Sequence, residues 1–300
     1  MTGTAGQMLR RAQPWLGTLV DVSIVVPASA IAGDANADTK AIDAAFAAVA
    51  LVHRLMSFHE ADSDISAINR LQPGQSVKVD AHTANVLRCA LLIEELSDGI
   101  FNIACGAQLV AWGQLPLPPG SGTASENGAD TSAAGAARPP ARTAIALDAS
   151  LRVTRRMPGW IDPGGIAKGY AVDLAVTALQ HAGVTAGCVN AGGDLRVFGD
   201  LELPVQIRDP QRPTRAGRLL HLRQQALATS AGYFSSRLHA GRQTGALLDA
   251  RNGQPVPAGH SASVLAASCM HADALTKVVI ATADPAHPLL AQFGATAFFN

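Results

Sequence analysis

A mixed α+β fold is what this sequence predicts, and three stretches predict it. Trp15 to Val26 (WLGTLVDVSIVV) alternates and then runs apolar and β-branched, the pattern of a strand. Asp38 to Ser57 sets Ile42, Ala45, Phe46, Val49, Val52 and Met56 at three- and four-residue steps, the period of an amphipathic helix. Ala144 to His181 reads as strand, glycine-rich turn and helix in succession.

Taken in order, the Trp15 to Val26 run is expected to be the first strand of a sheet, and the helix after it is followed by a second from Ala81 to Leu96. Between Leu115 and Arg142 the chain reads LPLPPGSGTASENGADTSAAGAARPPAR, with no large apolar residue after Leu117. Such a stretch buries too little surface to offset its ordering entropy, so a flexible insertion at about 117–142 is expected in one domain spanning 1–300. Beyond it come a strand at Ala144 to Leu147, a turn at Asp162 to Gly169, and a helix from Tyr170 to His181 ending at Gly183. Strand-like runs follow at Cys188 to Val189, Leu195 to Phe198 and Val205 to Arg208, and a closing helix begins near Ala272.

The 300 residues are 48% apolar and 15% charged, enough to bury a large core. Lys plus Arg and Asp plus Glu both number 23, so there is no basic excess to follow a nucleic-acid backbone or an anionic membrane. Nucleic acid and direct membrane insertion are therefore not expected. Cys89, Cys105, Cys188 and Cys269 stand singly in apolar surroundings, without zinc-site spacing or disulfide density, and read as buried free thiols. The first residues carry Arg10 and Arg11 but no long apolar stretch and no lipid-acceptor cysteine, so a cytoplasmic location is expected unless an export signal has been removed.

Chemistry concentrates in Trp160 to Asp173, WIDPGGIAKGYAVD. Glycines let backbone approach a ligand, amides at a helix start favour an anion, and Lys168 adds a cation beside that position. An ordinary glycine turn with a solvated lysine is the plainer alternative. The run fits neither G-x-G-x-x-G nor the P-loop pattern.

This run resembles the central motif of the ApbE family of flavin transferases, and other stretches resemble that family in the same order. They are Leu16-Gly17-Thr18; Met56 to Asn69 (MSFHEADSDISAIN); Ser97 to Gly106 (SDGIFNIACG) with Trp112-Gly113 after it; Cys188 to Gly199 (CVNAGGDLRVFG); Leu248 to Val256 (LDARNGQPV); and Met270 to Val279 (MHADALTKVV). The resemblance implies an ApbE-like (T-fold-like) α+β domain with antiparallel or mixed sheets and packed helices. It implies binding of FAD, Mg²⁺ on the pyrophosphate, and transfer of FMN to a Thr or Ser of a flavinylation motif in a redox partner protein, with AMP released. By motif, it assigns FAD contacts to Leu16, His59, Ile100, Phe101, Asn102, Asp162, Lys168 and Leu247. Metal contacts fall to Gly165 and Asp273, with Thr276 and Lys277 competing for a further ligand position; Asn69, Asn190 and Asp194 would hold loop geometry.

Three positions depart from the family's pattern. Ala246 stands where a histidine would serve as base for the attacking hydroxyl, leaving His239, His260 or His271 to approach in space. Asn102 replaces an aspartate. Lys277 stands where a threonine is expected one turn after Asp273, so that either Lys277 turns outward and Thr276 coordinates, the favoured expectation, or Lys277 replaces the metal. On these residues an active FMN transferase, a non-catalytic FAD-binding protein and an enzyme hydrolysing FAD to FMN and AMP all remain open.

Overall fold

The computed structural model describes residues 7–27, 35–118, 139–210, 216–232, 237–239, 241–257 and 261–300. The chain opens on a hairpin of β1 (Gln7–Trp15) and β2 (Thr18–Val26), turned by Leu16 and Gly17 with φ of 55° and 71°. Trp15 to Val26 is thus a turn and the second strand, because a polar, largely exposed edge strand precedes it. Helix α1 (Ala35–Met56) follows, then α2 (Asp64–Asn69), β3 (Ser76–Lys78) and α3 (Ala81–Leu96). Next come α4 (Gly106–Ala111), α5 (Ala141–Ala144), β4 (Ile145–Leu147) and β5 (Arg152–Arg155).

Most of the predicted insertion, 119–138, lies outside the described residues. Its C-terminal limit at 142 is too late, since α5 is already formed at Ala141, which is buried. The cause is Glu94 of α3, whose carboxylate accepts the amides of Ala141 and Arg142 at 2.5 and 3.0 Å and so caps α5 from outside.

Helix α6 (Ala167–His181) leads into β6 (Gly187–Ala191), β7 (Asp194–Phe198), β8 (Glu202–Arg208), β9 (Ala216–Arg223) and β10 (Ala226–Ala231). Short pairs β11 (Arg237–His239) with β12 (Arg242–Thr244), and β13 (Leu248–Asp249) with β14 (Gln254–Pro255), come before β15 (Ser261–Ala266). The C-terminal elements are α7 (Cys269–Thr282), α8 (Leu289–Gln292) and β16 (Thr296–Phe299). Seven strands form one sheet in the order β1-β2-β6-β7-β10-β15-β16, each neighbouring pair antiparallel.

The sheet's two faces follow from period-two alternation. On β7, Leu195 and Val197 pack with Ile207 and Leu222 of the β8–β9 hairpin, while Phe198 joins the cluster on the other face. That second cluster joins Val20, Val22 and Ile24 of β2 to Ile42, Phe46 and Val49 of α1 and Val172, Val176 and Leu179 of α6. A larger cluster gathers α2, α3 and α7 around Ile65, Ile93, Trp160 and Leu275. None of the four cysteines forms a disulfide; Cys188 and Cys269 are buried, whereas Cys89 and Cys105 are only half-buried. Among the described residues no helix is long and apolar enough to cross a membrane.

Helices α6 and α7 are the pair that builds the site. A Cβ at Gly169 would lie 2.2 Å from the carbonyl oxygen of Cys269 and 2.8 Å from Cβ of Asp273, so only glycine allows this approach. Gly169→Ala is expected to force the helices apart at a cost of roughly 1–3 kcal/mol for overpacking. Thermal unfolding should show the midpoint fall by several degrees; an unchanged midpoint would mean that the helices are not held at this separation.

Candidate active site

A cleft of about 320 Å³ opens beside the α6 N-terminus. Its floor comes from Asp162, Gly164, Gly165 and Lys168, one wall from Ile100, Phe101 and Asn102, and another from Ala246, Leu247 and Leu248. Lys277 of α7 completes it. Separate stretches of sequence thus converge on one space, and each is fixed by identifiable bonds.

The glycine loop is clamped at its entry by Asn69, whose side chain donates to the carbonyl of Ile161 and accepts its amide, both at 2.9 Å. Asp162 then accepts the amide of Gly164 at 3.0 Å, closing the turn. The Ile166 position gives α6 no side-chain cap; Asp273 supplies one from the neighbouring helix, its Oδ2 accepting the Gly169 amide at 3.0 Å. In return Asp173 of α6 accepts the Ser268 hydroxyl at 2.7 Å and the amides of Cys269 and Met270 at 3.0 and 2.9 Å, at the α7 N-terminus.

On the walls, Ser97 accepts the Phe101 amide at 3.1 Å, following left-handed Asp98 and Gly99. Asn102 accepts the Ala104 amide and donates its Nδ2 to the carbonyl of Pro139 at 3.0 Å, a bond that an ionised aspartate could not make. Leu247 is held by the β13–β14 hairpin, its carbonyl accepting the Val256 amide at 3.0 Å. Asn190 accepts the Gly193 amide at 2.8 Å, and Asp194 pairs with Lys168. Thr229, Ser230 and Ala231 of β10 also line the cleft, as do Cys105, Leu109, Gln114 and Leu115. Sequence reasoning missed the β10 residues because a run of small residues, ALATSA, has no chemical signature.

Leu16 and His59 do not line the cleft. Leu16 sits in the β1–β2 turn beside a separate depression with Trp15 and His53. His59 is exposed, near enough to Asp162 for its charge to be felt there but outside the cleft wall. His239 lies on the β11–β12 hairpin, His271 packs edge-on against Phe293 at 4.8 Å, and neither lines the cleft. His260 lies outside the described residues. Ala246 does face the cleft, which therefore has no imidazole among its described lining residues.

Charge at the floor is organised as a quartet. The Lys168 ammonium bonds Asp194 and stands 3.6 Å from Asp273, whose other oxygen bonds the ammonium of Lys277. Burial works to lower the Lys168 pKa, but the two carboxylates outweigh it and the net shift is upward. Burial likewise works to raise Asp273, and the two lysines outweigh it, holding the carboxyl below its ordinary range. Asp194 and Asp162 are raised, chiefly by burial. Two ammoniums thus face two carboxylates beneath an opening able to receive an anion.

These residues do not fit the expected Mg²⁺ site. Thr276, fully buried, donates to the Asp273 carbonyl at 2.6 Å and bonds Ser230 at 2.7 Å, so its hydroxyl is already engaged, and Thr276 itself does not line the cleft. Lys277 points inward, contrary to the outward orientation expected. A Cβ at Gly165 would lie 3.3 Å from Cε of Lys277 and 3.4 Å from Phe101, so the lysine stem lies against the loop that was to supply a metal ligand. Both oxygens of Asp273 already accept N–H donors. A dication about 4 Å from the Lys277 ammonium would meet a repulsion of about 8 kcal/mol at an effective dielectric near 20.

Comparison with known proteins fits this geometry. The model of the ApbE family matches residues 16–299. A Rhodobacter capsulatus FAD:protein FMN transferase is 29% identical over 242 residues, 79% of this chain and 46% of that protein. A Vibrio cholerae protein of the same name is 25% identical over 233 residues, 75% of this chain and 68% of its own. The chain thus spans about half the length of the first of these relatives and two thirds of the second. Among solved structures, the ApbE protein of Thermotoga maritima superposes with a TM-score of 0.80 at 24% identity, covering 98% of this chain and 94% of that one. The apo flavinyl transferase ApbE of Pseudomonas stutzeri gives 0.78 at 23% identity, covering 100% and 92%. With the glycine loop, both walls and α7 all inside the matched span, the chain belongs to the ApbE family.

Proposed function

We propose that this chain, acting as one domain, transfers FMN from FAD to a Thr or Ser hydroxyl of a partner redox protein and releases AMP. The observation that carries this reading is the convergence of an anion floor, built from the glycine loop, Lys168 and Lys277, with apolar side chains on both walls, Ile100 and Phe101 on one and Leu247 on the other, in one cleft. A flavin dinucleotide has matching halves: a charged pyrophosphate and a flat apolar ring.

In the reaction the acceptor hydroxyl oxygen bonds to the FMN phosphorus as the bond to the AMP oxygen breaks. The proton leaves the hydroxyl, and AMP departs with the electron pair. Phosphoryl transfer depends mainly on positioning and on neutralising charge over the phosphate oxygens, which is the work of the two lysines and the loop amides. Asp162, a half-buried carboxyl lining the cleft with a raised pKa, is the acceptor of the hydroxyl proton that the described lining residues provide. Incubation with FAD and a domain bearing a flavinylation motif should add the mass of FMN to that domain; no adduct, with FAD bound, would leave a non-catalytic FAD-binding protein, the reading that Ala246 favours.

FAD should bind at least about tenfold more tightly than FMN, since only FAD spans floor and wall with an intact pyrophosphate. Flavin fluorescence titration measures this, and equal affinities would remove the proposal. Ala246→His would put an imidazole at the cleft and is expected to raise turnover by about 10²-fold, the lower end for a positioned general base. An unaltered rate in a folded variant would mean that proton removal does not limit transfer.

A further inference from the structure

We propose that the Lys277 ammonium takes the place of a divalent cation, so that this chain holds a pyrophosphate diester without a metal ion; the identity of that diester as FAD rests on the function proposed above. Five features of the molecule carry the inference. Lys277 lines the cleft beside Gly165 and Lys168, so its charge lies where the anion must sit. Its stem lies against Gly165, and its ammonium is tied to the Asp273 carboxylate and, at 2.9 Å, to the Asp273 carbonyl, which together hold it inward.

Asp273, the acid that would otherwise bind a cation, is fully buried with one oxygen spent on capping α6 and the other on Lys277. Thr276, the neighbouring oxygen donor, is committed to Ser230 and to the backbone. Among the described residues no three His, Cys, Asp or Glu side chains come together as a metal-holding group. Oxygen-rich octahedral sites of the Mg²⁺ type need several free oxygens, whereas a pair of ammoniums neutralises phosphate oxygens directly.

The test titrates FAD, and separately ADP-ribose as a flavin-free pyrophosphate diester, into the whole chain by calorimetry, once with EDTA and once with excess MgCl₂. The parent chain is expected to bind with dissociation constants that agree within about threefold in the two buffers. Lys277→Thr is expected to lose about tenfold or more in EDTA and to recover with MgCl₂, while Lys277→Arg stays indifferent to the metal. A parent whose affinity rises more than about threefold with MgCl₂ overturns the inference, as does a folded Lys277→Thr variant as indifferent as the parent. Should Lys277→Thr fail to fold, the parent in its two buffers decides alone. Metal-independent binding of ADP-ribose but not FAD would uphold the lysine's role and remove the flavin reading; binding of neither ligand in either buffer overturns both.

Discussion

Two carboxylates exchanged between neighbouring helices hold the site together. Asp173 projects from α6 to the first amides of α7, and Asp273 projects from α7 to the first turn of α6. Each satisfies orphan N–H groups that its partner helix cannot satisfy within itself, and each places a negative charge at a positive helix end. The exchange requires the helices to touch, which Gly169 permits, and it brings the glycine loop of one against Lys277 of the other. Lys168, reaching from α6 to Asp194 on β7, then ties the pair to the central sheet.

Buried ion pairs of this kind are weak evidence for stability, because desolvation consumes much of their attraction. Their value here is positional. With the carboxylates already charged and hydrogen-bonded, the two ammoniums face the cleft in fixed places, and an arriving anion need not reorganise the site. Departures from the family pattern also gain physical sense: Asn102 donates to a carbonyl where an aspartate would be repelled, and Lys277 fills space that a threonine would leave open beside Gly165.

Much of this was legible in the sequence, and the remainder was not for definite reasons. α1, α3, α6 and α7 declared themselves by apolar stripes at helical spacing or by a glycine turn before them. β1 did not, because QMLRRAQPW is a polar edge strand with mostly exposed side chains, and β10 and β15 are built from small residues that carry little strand signal. At the site, the motif stretches could be found by residue type and order, yet the direction of Lys277 could not. Residues three and four positions after Asp273 lie near the same helix face, and the choice between them is made by Ser230 and Gly165, both distant in sequence. The role of Asp173 was hidden for the same reason: its partners lie 95 to 97 residues further on.

That separation orders events in time. The Gly169 amide and its cap on Asp273 are 104 residues apart, and the intervening chain supplies four strands of the central sheet and the hairpins around it. Loops of this length close late and slowly, because their entropy must be overcome before the contact returns anything. The first turn of α6 thus stays uncapped on the ribosome until α7 has emerged and docked, and a partly synthesised chain carries the glycine loop without the cleft that α7 completes.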